Sequence, residues 1–153
     1  MNRNQSPGWR EAFKTVNQQR PFQIDVIVIL PDHRHGLWTL PADDADYSTR
    51  WMVIKSYFTR RCPPALKTVR SAALRHKREQ TLWQHRCWEH QIRDEQDFER
   101  HCDYIHYNPV NHGQAAQVAD WPPSSFHRFV RDGIYPRDWA GAPEWVDEGG
   151  FGE

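Results

Sequence analysis

The chain has 153 residues, enough for one domain with a real core; only 38% are hydrophobic, but 8 Trp, 7 Phe and 5 Tyr supply large apolar side chains and argue against a disordered chain. No apolar run approaches the ~20 residues of a membrane helix and the first seven residues lack a signal-peptide core, so a cytoplasmic protein is expected. The net charge of zero hides an asymmetry, because residues 50–93 carry 11 Lys or Arg against only Glu79 and Glu89, while residues 94–153 carry 4 Arg against 12 acids. The middle third is therefore a candidate surface for a polyanion such as nucleic acid; the alternative is a solvated basic face neutralised by the acidic tail.

In chain order, Trp9, Ala12, Phe13 and Val16 recur at helical spacing and predict a helix from about Trp9 to Gln18, ending before Pro21. Phe22 to Leu30 is rich in β-branched residues and nearly continuously apolar, as for a strand covered on both faces. Pro31-Asp32 punctuates the chain, and His35 to Leu40 predicts a second, antiparallel strand. Ser48 is the expected N-cap of a helix carrying Trp51, Ile54 and Phe58, with Lys55, Arg60 and Arg61 on its other faces. Cys62-Pro63-Pro64 stops that helix, and Ala65 to Gln80 is a basic segment with few apolar anchors, expected to be mobile without a ligand. Thr81 to Ile92 has strand character. Asp94 caps a further helix expected to run to about Tyr107, since Pro109 disfavours helix at the residue before it and leaves Asn108 at a frayed end. The tail from Asn111 shows no sustained period and is expected to wrap the surface through Trp121, Phe126, Phe129, Trp139 and Trp145, with residues 148–153 disordered.

Two short motifs carry the chemistry. His33 and His35, two residues apart, share one face of a strand and can both reach one divalent cation such as Mn²⁺; the alternative is a pair of unliganded surface histidines. On the last long helix, Phe98, Cys102 and Ile105 form the packing stripe, and His101, Tyr104 and Asn108 form a neighbouring stripe about 60° wide at the rim of the sheet. Tyr107 lies further from the apolar stripe, which makes Tyr104 the better-placed phenol; a tyrosine packing its ring and wetting its hydroxyl is the plainer reading. His101 or His106 can assist a reaction at Tyr104 or be ordinary helix histidines. The three cysteines, Cys62, Cys87 and Cys102, contain no CxxC and suit reduced thiols, a mixed site of Cys87 and His90 being the alternative.

These residues also carry a resemblance. VILPDHRHGLWTLP, then SxRWxxIKxxFTRR, WxxRCWEH, HCDYIHYNPVNHG and SSFHRFVRDGIYPRDWAG, covering Arg20 to Gly141, resemble the REP-associated tyrosine transposases of the HUH superfamily. The resemblance implies an α+β, ferredoxin-like HUH domain over residues 1–121, an antiparallel sheet with helices packed on it, and a Pro/Gly/Trp-rich tail over 122–153 packed on that domain. It implies His33, His35 and the side-chain amide of Asn108 as ligands of Mg²⁺ or Mn²⁺, and Tyr104 as the nucleophile that cleaves single-stranded DNA through a 5′-phosphotyrosine link. The implied partner is single-stranded DNA folded into REP hairpins, acted on by a monomer. Lys55, Arg60, Arg61, Lys67, Arg70, Arg75, Lys77 and Arg78 are the expected DNA-phosphate contacts, with Trp83 or Trp88 stacking on a base or packing in the core.

Two departures from the family pattern stand out. Arg34 replaces the usual apolar residue between the histidines and, turned to the opposite face, is expected to snorkel or to pair with an acid such as Asp25. Family members begin with a strand before the first helix, and here the chain opens near that helix, so the sheet is expected to lack its N-terminal strand unless the start lies further upstream. A degenerate copy that binds hairpins without catalysis, and a metal-dependent nuclease using activated water, are the rival readings.

Overall fold

The computed structural model describes residues 6–31, 33–63 and 89–141. The elements run α1 (Ser6–Gln19), β1 (Gln23–Ile29), β2 (Arg34–Thr39), α2 (Tyr47–Arg61), α3 (Glu95–Asn111), a 3-10 turn (Val118–Asp120) and α4 (Phe126–Arg131). They divide into a helical unit, holding the described residues up to Pro21 and from Leu40 to Glu89, and an α/β unit, holding Phe22–Thr39 and the described residues from His90 on. Among the described residues no helix is long and apolar enough to cross a membrane.

In the helical unit, the apolar spacing of α1 does what it predicts: Trp9, Ala12, Phe13 and Val16 are all buried, together with Ile54 of α2. Trp9 stacks on Phe58 with ring centroids 4.2 Å apart and on Trp51 at 6.3 Å. Gly8 allows that closeness, since a Cβ there would sit 3.3 Å from the Phe58 ring. The cap of α2 is Asp46 rather than Ser48; its carboxylate accepts the Thr49 N–H at 3.0 Å, and Ser48 lies inside the first turn with its hydroxyl on the same oxygen. An aspartate is as good a cap as a serine, so the acidic run before the helix claims the position first.

Arg50, one of the cations counted in the basic third, is only 2% exposed. Its guanidinium donates to both carboxylate oxygens of Asp44 (3.1 and 2.6 Å) and to the carbonyls of Asp46 (2.8 Å), Pro21 (2.9 Å) and Arg20 (3.3 Å). Hydrogen bonding from Arg50 holds the Asp44 carboxyl down at about 2. The planar fork thus ties the end of α1 to the start of α2, a geometry lysine cannot copy. Of the other expected elements in this part of the chain, Ala65 to Gln80 and Thr81 to Trp88 lie outside the described residues, while residues 89–92 form no strand.

In the α/β unit, β1 and β2 form an antiparallel hairpin with Ile29 opposite Arg34, Val28 opposite His35 and Ile27 opposite Gly36. A bulge between Ile24 and Val26 shifts the register, and the Leu30 N–H closes the turn on the His33 carbonyl at 2.8 Å. Val26, Val28 and Leu30 are buried and pack with Cys102 and Ile105 of α3 and Phe129 of α4. Ile27 and Ile29 on the alternate face are only part-buried, so the strand is less symmetric than its continuous apolar run suggested. Cys62 and Cys102 are buried free thiols, and Cys87 lies outside the described residues.

Residues 123–125 lie along the outer edge of β1: the Ile29 N–H donates to the Pro123 carbonyl (3.0 Å), the Ser125 N–H to the Ile27 carbonyl (2.8 Å), and the Ile27 N–H to Ser125 Oγ (2.9 Å). The Trp121 indole N–H adds a bond to the Ile29 carbonyl at 2.9 Å. The tail then turns through α4, a six-residue helix too short to show a period, and puts Phe126 and Phe129 into the core. Trp145 and residues 148–153 lie outside the described residues. Among the described residues the sheet has two strands, and none pairs with the second edge of β2.

His106 is fully buried among the rings of Phe126, Phe129 and Tyr135, sharing a 2.8 Å hydrogen bond with Ser125 Oγ. Burial, reinforced by the nearby charges of Arg128 and His127, pushes its pKa down to about 3.

Two expectations follow. Arg50→Met leaves Asp44 and three backbone carbonyls without their donor and should cost about 3 kcal/mol in urea unfolding. For His106, a folded pKa below the ordinary 6.5 means its contribution is complete above pH 6.5 and is lost as pH falls toward 3. At about 1.4 kcal/mol per pH unit, going from pH 7 to 5 should remove about 2 kcal/mol, and His106→Gln should flatten that slope.

Candidate active site

Packing of α3 on β1 places the candidate residues. Asp94 starts the helix by accepting the Asp97 N–H at 2.8 Å, and the buried row of Cys102 and Ile105 lies on the strand. The adjacent row then faces the hairpin end. Tyr104 meets His35 edge to face, ring centroids 5.5 Å apart. His35 and His33 lie perpendicular at 5.1 Å, with His35 on β2 and His33 in the turn just before it.

Asn108 follows Tyr104 by one turn and is completely buried, and neither its amide nitrogen nor its carbonyl oxygen has a hydrogen-bond partner among the described residues. The frayed end expected here does not occur, because α3 continues through Pro109 to Asn111. The His112 N–H donates to the Asn108 carbonyl (3.0 Å) and the Gln114 N–H to that of Pro109 (2.8 Å). Proline withholds one N–H from the ladder, and its own complete burial offsets that loss. Another turn on, His112 packs against His33 at 4.8 Å. Its position eight residues after Tyr104 was the available sequence signal, since 104, 108 and 112 share one helix face.

The remaining candidates separate. Tyr107 points toward the tail, lining a cavity with Val118, Arg137 and Trp139, and a Cβ on Gly141, which has φ +84°, would come within 2.6 Å of its ring. His106 is committed to Ser125, and His101 turns back toward Asp97 and His90. The expected partnership of Arg34 with Asp25 is not formed: Arg34 stands opposite Ile29, four residues along β1, and the two Asp25 carboxylate oxygens accept from Gln23 and Thr39. Lys55, Arg60 and Arg61 all lie on α2 in the helical unit. Lys55 sits 5.9 Å from the Trp51 ring, Arg60 donates to the Ser56 carbonyl at 3.3 Å and Arg61 stacks 3.6 Å over Tyr57. Lys67, Arg70, Arg75, Lys77, Arg78, Trp83 and Trp88 lie outside the described residues.

Paired imidazoles at the end of a strand facing a tyrosine on a helix, within an α+β unit, are the layout of the HUH single-tyrosine class. Comparison with known proteins narrows the class. No family model matches the chain. A REP-associated tyrosine transposase of Escherichia coli is 48% identical over 132 residues, which is 86% of this chain and 71% of that protein. A Haemophilus influenzae protein provisionally given the same family name is 46% identical over 136 residues, covering 89% of this chain and 77% of the relative. A solved structure of a REP-associated tyrosine transposase bound to a REP hairpin superposes with a TM-score of 0.77 at 44% identity, covering 92% of this chain and 76% of that one. The chain belongs to the REP-associated tyrosine transposases.

A buried carboxamide with no partner is costly, at about 1–3 kcal/mol for an unmet polar group. Replacing it with the similarly sized Asn108→Leu should therefore raise the metal-free protein's stability by about 1–3 kcal/mol, measured by chemical unfolding in chelator.

Proposed function

We propose that this chain cleaves and rejoins single-stranded DNA at the foot of REP-type hairpins, using Tyr104 as the nucleophile. The observation that carries the reading is the single α3 face that sets Tyr104 against His35 and His112 against His33, with Asn108 between them. The family membership and the hairpin bound to the solved relative supply the substrate class.

The Tyr104 oxygen, once deprotonated, attacks the scissile phosphorus; the bond to the 3′ oxygen breaks, leaving a 5′-phosphotyrosine and a free 3′-hydroxyl. That hydroxyl can later attack the same phosphorus, displacing Tyr104, so strands are rejoined with no nucleotide cofactor. His33, His35 and Asn108 fit a divalent-cation site for Mg²⁺ or Mn²⁺: the amide oxygen is the donor type these ions take, the imidazoles add two nitrogen donors, and the buried Asn108 amide has no other partner among the described residues. When bound, the ion would supply Lewis acidity to the phosphate oxygens. His35 meanwhile buttresses the Tyr104 ring, and His112 holds the face of His33. A free phenol ionises only near pH ~10, so the site must favour the phenolate for reaction near neutrality.

Hairpin phosphates are assigned to Lys55, Arg60 and Arg61 and, from sequence, to Lys67, Arg70, Arg75, Lys77 and Arg78. Arg50 is excluded from that surface by its burial. The protein acts as a monomer in the cytoplasm on this reading.

Incubation of the full chain with end-labelled REP hairpin DNA and Mn²⁺, resolved on a denaturing gel, should show a covalent protein–DNA band. The band should vanish in Tyr104→Phe, which lacks the attacking oxygen, and in His33→Ala. Cleavage that persists in Tyr104→Phe would replace this mechanism with attack by water, and hairpin binding without any adduct would leave a binding protein.

A further inference from the structure

Away from the Tyr104 face, a second cluster closes around the N-terminal turns of α3. His90 Nε2 lies 2.8 Å from Asp97 Oδ2, and His101 Nδ1 lies 3.2 Å from Asp97 Oδ1. One ligand atom from each of the three residues falls within 4.8 Å of the others. The two imidazoles stack face to face, centroids 4.6 Å apart and planes 10° from parallel. Asp97 and His101 are buried and one helical turn apart, while His90 comes from the chain that leads into the helix and keeps 25% of its side chain exposed, which provides an entry path.

We propose that His90, Asp97 and His101 form a second metal site, of the two-histidine, one-carboxylate kind, that takes a Zn²⁺-class ion. Tetrahedral zinc at bond lengths near 2.0–2.2 Å has its donors about 3.3 Å apart, and the 2.8 and 3.2 Å contacts already approach that spacing. Asp97 Oδ2, the oxygen beside His90, also accepts the Arg93 N–H at 2.9 Å, which fixes the carboxylate between the two imidazoles. His101 Nδ1 also bonds to the Asp97 carbonyl at 2.8 Å; ligation exchanges that contact, leaving the carbonyl its helical acceptor role toward the His101 N–H. Three protein ligands leave a fourth position for water.

The consequence is structural and bears on the nucleophile. The ion would lock the chain entering α3 onto the helix three residues before Tyr104, as a cross-link between His90 and the helix that presents the phenol.

The test uses the full chain carrying His33→Ala and His35→Ala, which removes the first metal site from the count. After treatment with chelator and exchange into clean buffer, calorimetric titration with ZnCl₂ should show one equivalent bound, and zinc should raise the thermal unfolding temperature. Adding His90→Ala, which spares the helix cap at Asp94, should abolish that equivalent or weaken it at least about tenfold. Adding His90→Cys instead should retain it and, with Co²⁺ as the probe, produce a cobalt–thiolate charge-transfer band. No zinc bound in the double-alanine background, or an equivalent that His90→Ala leaves unchanged, would overturn the proposal. Neither result bears on cleavage by Tyr104, which the covalent-adduct gel measures separately.

Discussion

The contact of α3 with β1 is the constraint from which the α/β unit follows. Val26, Val28 and Leu30 alternate along one face of the strand, and Cys102 and Ile105 lie one turn apart on the helix, so the two elements meet in one rotational setting. Once Ile105 is buried, helix geometry leaves Tyr104, Asn108 and His112 no face but the one toward the hairpin end. The site is thus positioned by residues that take no part in its chemistry, and its accuracy rests on core packing, where a methylene group gained or lost is felt.

That strand is itself held from its other edge. Pro123, Ser124 and Ser125 meet the backbone of Val28 and its neighbours, and Ser125 joins two roles, closing the edge of β1 with its main chain and engaging His106 with its hydroxyl. An uncovered edge invites pairing with other chains, so the tail serves as cover as well as core. The ring of Tyr135, stacked with Phe126, Phe129 and Trp139, extends this cover, and its hydroxyl donates to Asp103 on α3. The tail is therefore built into the unit that carries Tyr104.

Three buried polar groups show three solutions to one physical problem. Arg50 is answered in full, by a carboxylate and three carbonyls, and so behaves as a structural clamp. His106 is answered in part and stays neutral. Asn108 has no partner among the described residues, and a fold rarely tolerates an unmet amide at zero exposure without a functional reason. The contrast shows what composition cannot: one cation counted in the basic third is buried as a clamp, and one amide near the end of a helix is buried with no partner among the described residues.

By itself, the sequence determined α1, the β1–β2 hairpin, the Asp94 cap and the packing stripe of α3, because each rests on local periodicity or on the chemistry of one capping residue. It also settled that Tyr104, not Tyr107, shares a helix row with Asn108, and its ordered motifs pointed to the family. The tertiary structure decided the rest. It carried α3 through Pro109, since burial outweighs the missing N–H; it moved the α2 cap from Ser48 to Asp46, among capping residues of equal quality; and it folded the tail's six-residue helix, too short to register as a period. It sent Arg34 away from Asp25 through strand register, buried Arg50, brought His112 to His33, and gathered His90 and His101 on Asp97. Apart from the helix face that His112 shares with Tyr104 and Asn108, local sequence does not decide these features, because each depends on packing between groups that only the folded chain brings together.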